Sequence, residues 1–144
     1  TDMVQAKKAL APALACVKPG GAVILVGRCE RGWGASEPEW SLLHRDTVEQ
    51  TRADIESGLR EGRLEHSWGP CSPGLLFSRV VHDAKARLIL VSEVNTQLAD
   101  SFVETAPALA EALGMAEERL GPDASIIVIE DGRRAICHVA GSDL

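Results

Sequence analysis

Three short runs of branched aliphatic residues punctuate the chain: AVILVG at 22–27, LILVS at 88–92 and SIIVIE at 125–130. None alternates apolar with polar, so each predicts a strand covered on both faces, as in a parallel sheet. Helical periods lie between them. Projected at about 100° per residue, residues 2–17 place Met3, Ala6, Leu10, Ala13, Leu14 and Val17 on one stripe. Residues 46–60 open with Asp46 as a candidate cap and Glu49 three positions on, then repeat apolar residues at Val48, Ile55 and Leu59 before Gly62. Residues 75–85 carry Leu76, Phe77, Val80, Val81 and Ala84 at the same spacing. A last helix starts near Thr105 and Pro107, carries Leu109, Ala112, Leu113, Ala116 and Leu120, and ends at Gly121-Pro122.

Strands alternating with helices predict a three-layer α/β domain, Rossmann-like, with a mostly parallel sheet and right-handed crossovers. Two endings fit the C-terminus. Asp131-Gly132 can turn 125–130 back into RAICHV and add an antiparallel edge hairpin, or the strand can simply end before a loose tail. SWGPCSPG at 67–74 reads as a long surface loop. Residues 1–144 are expected to form a single domain. The chain opens with Thr1 and enters a helix almost at once, where an α/β unit puts a strand first; this predicts a piece of a longer protein.

A formal net charge of −6 and a pI near 5.2 oppose a sequence-independent grip on nucleic acid, which needs a basic stripe. No apolar run has bilayer-spanning length and no basic-then-apolar leader opens the chain, so a cytoplasmic protein with neither membrane nor nucleic-acid partners is expected. Cys16, Cys29, Cys71 and Cys137 contain no C-x-x-C pair and read as reduced, mostly buried thiols. His44, His66, His82 and His138 have no ligand spacing either. No metal site is expected.

The loop after the first apolar run, Gly27 to Gly34, is not a phosphate loop, because Trp33 stands where the phosphate-reaching lysine belongs. It lacks the G-x-G-x-x-G spacing as well. Its glycines permit positive φ, and its place at the carboxyl end of a strand puts it where open α/β sheets receive ligands. Trp33 and Trp40 bracket the loop and read as cover for it or for a domain interface. Ser36 with Glu39 can cap a short helix carrying Trp40.

On the first helix Gln5 and Lys8, three apart, fall opposite the apolar stripe, with Lys7 at its margin. Lysines in the first turns oppose the helix dipole, a sign that a bound anion reverses. Free N-terminal amides, the Gln5 amide and the Lys8 ammonium would make a seat for a carboxylate. A solvated polar face accounts for the same two residues. Pro12 must interrupt or restart this helix.

VQAKKA, then KPGGAVILVGRCERGWG, then LILVSEV and a closing IIVIEDG, together resemble the C-terminal domain of the nickel-pincer nucleotide-dependent lactate racemase family. That domain opens approximately Asp-x-x-Tyr-Gln-Ala-x-Lys, followed by a glycine pair, an apolar strand and a Gly-rich loop. Asp2, Gln5, Ala6, Lys8, Gly20, Gly21 and the loop through Gly34 match; Val4 replaces the tyrosine. The resemblance implies a substrate-closing domain of a longer two-domain cytosolic isomerase that interconverts enantiomers of lactate or a related 2-hydroxy acid. It implies hydride transfer to and from the nickel-pincer nucleotide, with the cofactor and the acid/base histidines held by the chain's own N-terminal domain. No catalytic residue is then expected on this chain, which alone would be inactive. Gln5 and Lys8 carry over as the residues that hold the substrate, and Trp68 corresponds to a family tryptophan ahead of the third helix. The alternative is a non-catalytic Rossmann-like module that binds a ligand or a partner.

Overall fold

The computed structural model describes residues 2–32, 34, 41–64, 73–92, 98 and 101–137. Three parallel strands, β1 (Ala22–Val26), β2 (Arg87–Val91) and β3 (Glu104–Ala106), pair in that order. Register sets Ala22 beside Arg87 and Val26 beside Val91, then Ile89 beside Glu104. The first two strands confirm the runs read from the sequence. The third is only three residues long, too short for a periodicity signal, and it lies where the last helix had been expected to start.

The helices are α1 (Met3–Ala6), α2 (Leu10–Cys16), α3 (Val48–Arg60), α4 (Pro73–Ser78) and α5 (Leu109–Leu120). A 3-10 turn at Lys7–Ala9 joins α1 to α2. Pro12 explains that join: it cannot donate to the Lys8 carbonyl four residues back, so the α pattern restarts at Leu10 with the proline in a first turn, where no donor is required. α3 is capped by Thr47, whose side chain accepts from the Gln50 amide, rather than by Asp46. Gly62, at φ +69°, follows its end as expected. α4 widens into a π-helical segment, Arg79–Asp83, which completes the expected 75–85 element.

Alternate residues of each strand face opposite layers. Val23, Leu25, Leu88 and Leu90 pack with Met3, Ala6 and Leu10 from the first helices and Phe77 and Val80 from the α4 segment. On the other face Ile89 and Ala106 meet Ala112 of α5, with Ile24, Val91, Met115 and Ala116 around them. This is the expected three-layer α/β arrangement. α3 lies outside it, joined to α4 through Leu42, Val48, Ile55, Leu64 and Leu75. A buried hydrogen bond from Thr51 Oγ1 to Ser78 Oγ, 3.2 Å, pins the same two helices.

The expected strand at 125–130 and its antiparallel edge hairpin are not formed. Ile126, Ile127 and Val128 are exposed, and residues 122–129 have no strand or helix assignment. A turn does occur, with Asp131 at φ +45° and the Arg134 amide donating to the Asp131 carbonyl. It directs Gly132 onto Ala9 of the first helix, away from the sheet edge, so no second strand returns beside the first.

Candidate functional site

The first helix precedes β1 and runs back along it, so its N-terminus lies at the carboxyl edge of the sheet. Several local contacts build this corner. The Met3 amide donates to the Gly32 carbonyl at 3.1 Å, fastening the glycine loop across the start of α1. Asp2 Oδ1 accepts from the Gln5 amide at 2.9 Å as an N-cap. Gly34, at φ +75°, passes so near Asp2 that a Cβ on it would stand 2.7 Å from the Asp2 Cβ. Below the loop the Gly27 amide donates to the Val91 carbonyl, and Ser92 Oγ donates to the Arg28 carbonyl at 3.3 Å, tying the exits of β1 and β2 together.

Gln5 and Lys8 are exposed on this helix, and Lys8 Nζ donates to Gln5 Oε1 at 2.7 Å. The spacing of three brings them together, as expected. With the Gln5 oxygen engaged by the ammonium, the exposed side chains offer the amide NH₂ and the remaining ammonium hydrogens as donors. Such a pair suits a carboxylate or a ketone oxygen. Lys7, at the margin of the stripe, is a buried residue, 5% exposed. The N-terminal amides are not the free donors anticipated from sequence. Asp2 and Gly32 occupy those of Gln5 and Met3. Val4 is buried.

Cys29, within the loop, is 1% exposed. Burial raises its thiol above the ordinary value, the Ser92 hydroxyl opposes that shift, and the Asp2 charge adds to it. A thiol so held stays protonated at neutral pH and supplies no nucleophile. Trp33, Trp40 and Trp68 lie outside the described residues, as do His66, His138 and Cys71. Sequence reasoning matched Asp2 to a motif without finding its task. The signal was present: Asp one residue before a helical stripe, three before Gln5, is an N-cap spacing.

The chain is thus a parallel α/β domain with a glycine-rich rim and an exposed amide–ammonium pair on its first helix. Residues 1–137 match the family described as Lactate racemase C-terminal domain, and the chain belongs to that family. A curated lactate racemase from Thermoanaerobacterium thermosaccharolyticum is 26% identical over 132 residues, 91% of this chain and 30% of that protein. The structure of the lactate racemase apoprotein from the same organism superposes with a TM-score of 0.76 at 24% identity, covering 96% of this chain and 32% of that one. The chain thus spans about a third of the length of these relatives. Among the described residues no helix is long and apolar enough to cross a membrane.

Proposed function

We propose that the chain is the substrate-closing C-terminal domain of a lactate racemase-like enzyme, acting on lactate or a related 2-hydroxy acid. The observation that carries this reading is the Lys8 Nζ to Gln5 Oε1 hydrogen bond on an exposed helix face at the sheet's carboxyl edge. The Lys8 ammonium binds the substrate carboxylate or the keto oxygen that develops at C2, and the Gln5 NH₂ fixes its orientation. The Asp2 cap and the Gly32 tether keep that helix turn rigid, so the donors are placed before substrate arrives.

Among the described residues there is no group of three or more His, Cys, Asp or Glu side chains placed to hold a metal ion. They do not fit a nickel centre. In this reading the nickel-pincer nucleotide, which supplies reversible hydride transfer, and the acid/base histidines belong to the chain's own N-terminal domain. The present chain alone is then inactive and works by docking on that domain. Trp68 is kept as a third substrate-binding residue by resemblance alone.

The test uses the full-length, cofactor-loaded protein. Lys8→Ala is expected to lower kcat/KM for racemisation at least about tenfold, about 1.4 kcal/mol of transition-state stabilisation. The thermal midpoint should barely move, because the side chain is exposed. Gln5→Glu, which replaces two donors by a charge that repels the substrate carboxylate, should raise KM. Unaltered kinetics in both variants would remove the pair from the site.

A further inference from the structure

Residues 131–137 leave their turn and lie on the first helix. Gly132 rests against Ala9 so closely that a Cβ on it would stand 2.7 Å from the Ala9 Cβ. Farther along, Ala135, Ile136 and Cys137 face Ala11 and Pro12 across an open groove of about 220 Å³. This course brings Cys137 against Pro12, one helical turn before Cys16, the last residue of α2, so that the two thiol side chains are neighbours. Both are reduced, and both are partly exposed to solvent. Cys29, by contrast, is sealed in the core.

We infer that Cys16 and Cys137 are a redox-responsive dithiol, an oxidative modification site that closes to a disulfide and staples the 131–137 segment to α2. The oxidant is a two-electron acceptor that can reach a solvent-facing pair: a peroxide or a small disulfide such as oxidised glutathione. With hydrogen peroxide, one sulfur attacks an oxygen to give a sulfenic acid and one water; the second sulfur then displaces the hydroxyl, forming the S–S bond and releasing a second water. With oxidised glutathione, two successive exchanges release two molecules of glutathione, and the second protein sulfur closes the bond. In either route two thiols are oxidised and one acceptor is reduced.

Proximity favours closure over intermolecular bridging, because Cys137 already lies against the helix that Cys16 terminates. The ring so closed spans most of the chain, the case in which a cross-link most restricts the unfolded ensemble. Cys16 ends α2 whereas Gln5 and Lys8 lie near the start of the first helix, so the staple braces the scaffold of the polar pair and leaves its donors free.

The full-length protein is treated with hydrogen peroxide or oxidised glutathione under native conditions, blocked with N-ethylmaleimide, digested without reduction and mapped by mass spectrometry. A peptide joining Cys16 to Cys137, two hydrogens lighter than its halves and lost on adding dithiothreitol, is the expected product. It should accompany a rise in thermal midpoint of at least about 3 °C. The near-isosteric Cys16→Ser and Cys137→Ser variants should show neither. Recovery of both cysteines as maleimide adducts after treatment, or their linkage only to other cysteines or other molecules, overturns the inference whatever the midpoint does.

Discussion

Gly34 is a single residue on which the geometry of the polar corner depends. Its φ of +75° is open to glycine and strained for alanine, and a Cβ would stand 2.7 Å from both Cβ and Cγ of Asp2. Gly34→Ala therefore carries two costs: about 1 kcal/mol of left-handed strain and about 1 kcal/mol for displacing the Asp2 side chain from its cap. The denaturant midpoint should fall by an amount matching about 2 kcal/mol with an unchanged m-value, and KM should rise because Gln5 loses its anchored amide. An unshifted midpoint would mean that Asp2 yields without loss and caps nothing of consequence. At this scale the sequence was informative where helix spacing alone decides: Gln5 and Lys8 meet because three residues make most of a turn. It was silent where the partner lies far along the chain, as for Gly32 on Met3, since no local pattern encodes a contact closed by a loop.

Among the elements, the join of β2, β3 and α5 rests on one side chain. Arg87 donates from Nε to Glu104 Oε1 at 2.7 Å, from Nη2 to Glu104 Oε2, and from Nη1 to the Met115 carbonyl of α5. Those hydrogen bonds are the main cause that lowers the Glu104 carboxyl below its ordinary value; partial burial pushes the other way, and the charges of Arg87 and Arg119 add to the lowering. The sign follows directly. A folded pKa below the unfolded value of about 4.5 means that the stabilisation is complete above that pH and drains away as the pH falls through the lower, folded value. Glu104→Gln should therefore flatten the loss of stability between about pH 5 and pH 3 relative to the parent sequence. Arg87→Met should cost about 1–2 kcal/mol at neutral pH, a figure discounted because Glu104 is partly solvent-exposed. An acid limb of the same slope in Glu104→Gln would show that the pair is screened into insignificance. This join was illegible in the sequence, because β3 is three residues long and its glutamate is separated from Arg87 by seventeen positions. β1 and β2 were legible because strands buried on both faces must be continuously apolar. The same rule misplaced a strand at 125–130: apolar content signals that a run is suited to cover, while the turn at Asp131 and the packing of Gly132 on Ala9 carry the chain elsewhere.

Over the whole molecule the layers are not equally held. β2 is central in the sheet, paired on both edges, with Leu88, Ile89 and Leu90 sealed between helices on both faces. α3 touches the body on one side only, through the satellite cluster around Ile55 and the Thr51–Ser78 hydrogen bond, and its other face is solvated. Opening α3 therefore exposes few apolar side chains, whereas exposing the β2 amides requires both helical layers to part. Free energies of opening scale with the surface released, so the two should belong to separate cooperative units. Native-state hydrogen exchange at low denaturant should find the α3 amides exchanging through a sub-global opening with a smaller m-value, and those of Leu88, Ile89 and Leu90 only through global unfolding. Thr51→Val removes the buried hydroxyl link and leaves Ser78 Oγ without that partner, so it should lower the α3 opening energy by about 1–2 kcal/mol. The β2 amides sense the same substitution only to the extent that α3 is closed in the state from which they open. Identical protection across α3 and β2, moving together in Thr51→Val, would instead make the outer helix an integral part of one folding unit. The first helix, which carries the polar pair, packs on the same core as β2. Its amides should follow the strand, keeping the donors in place while the outer layer breathes.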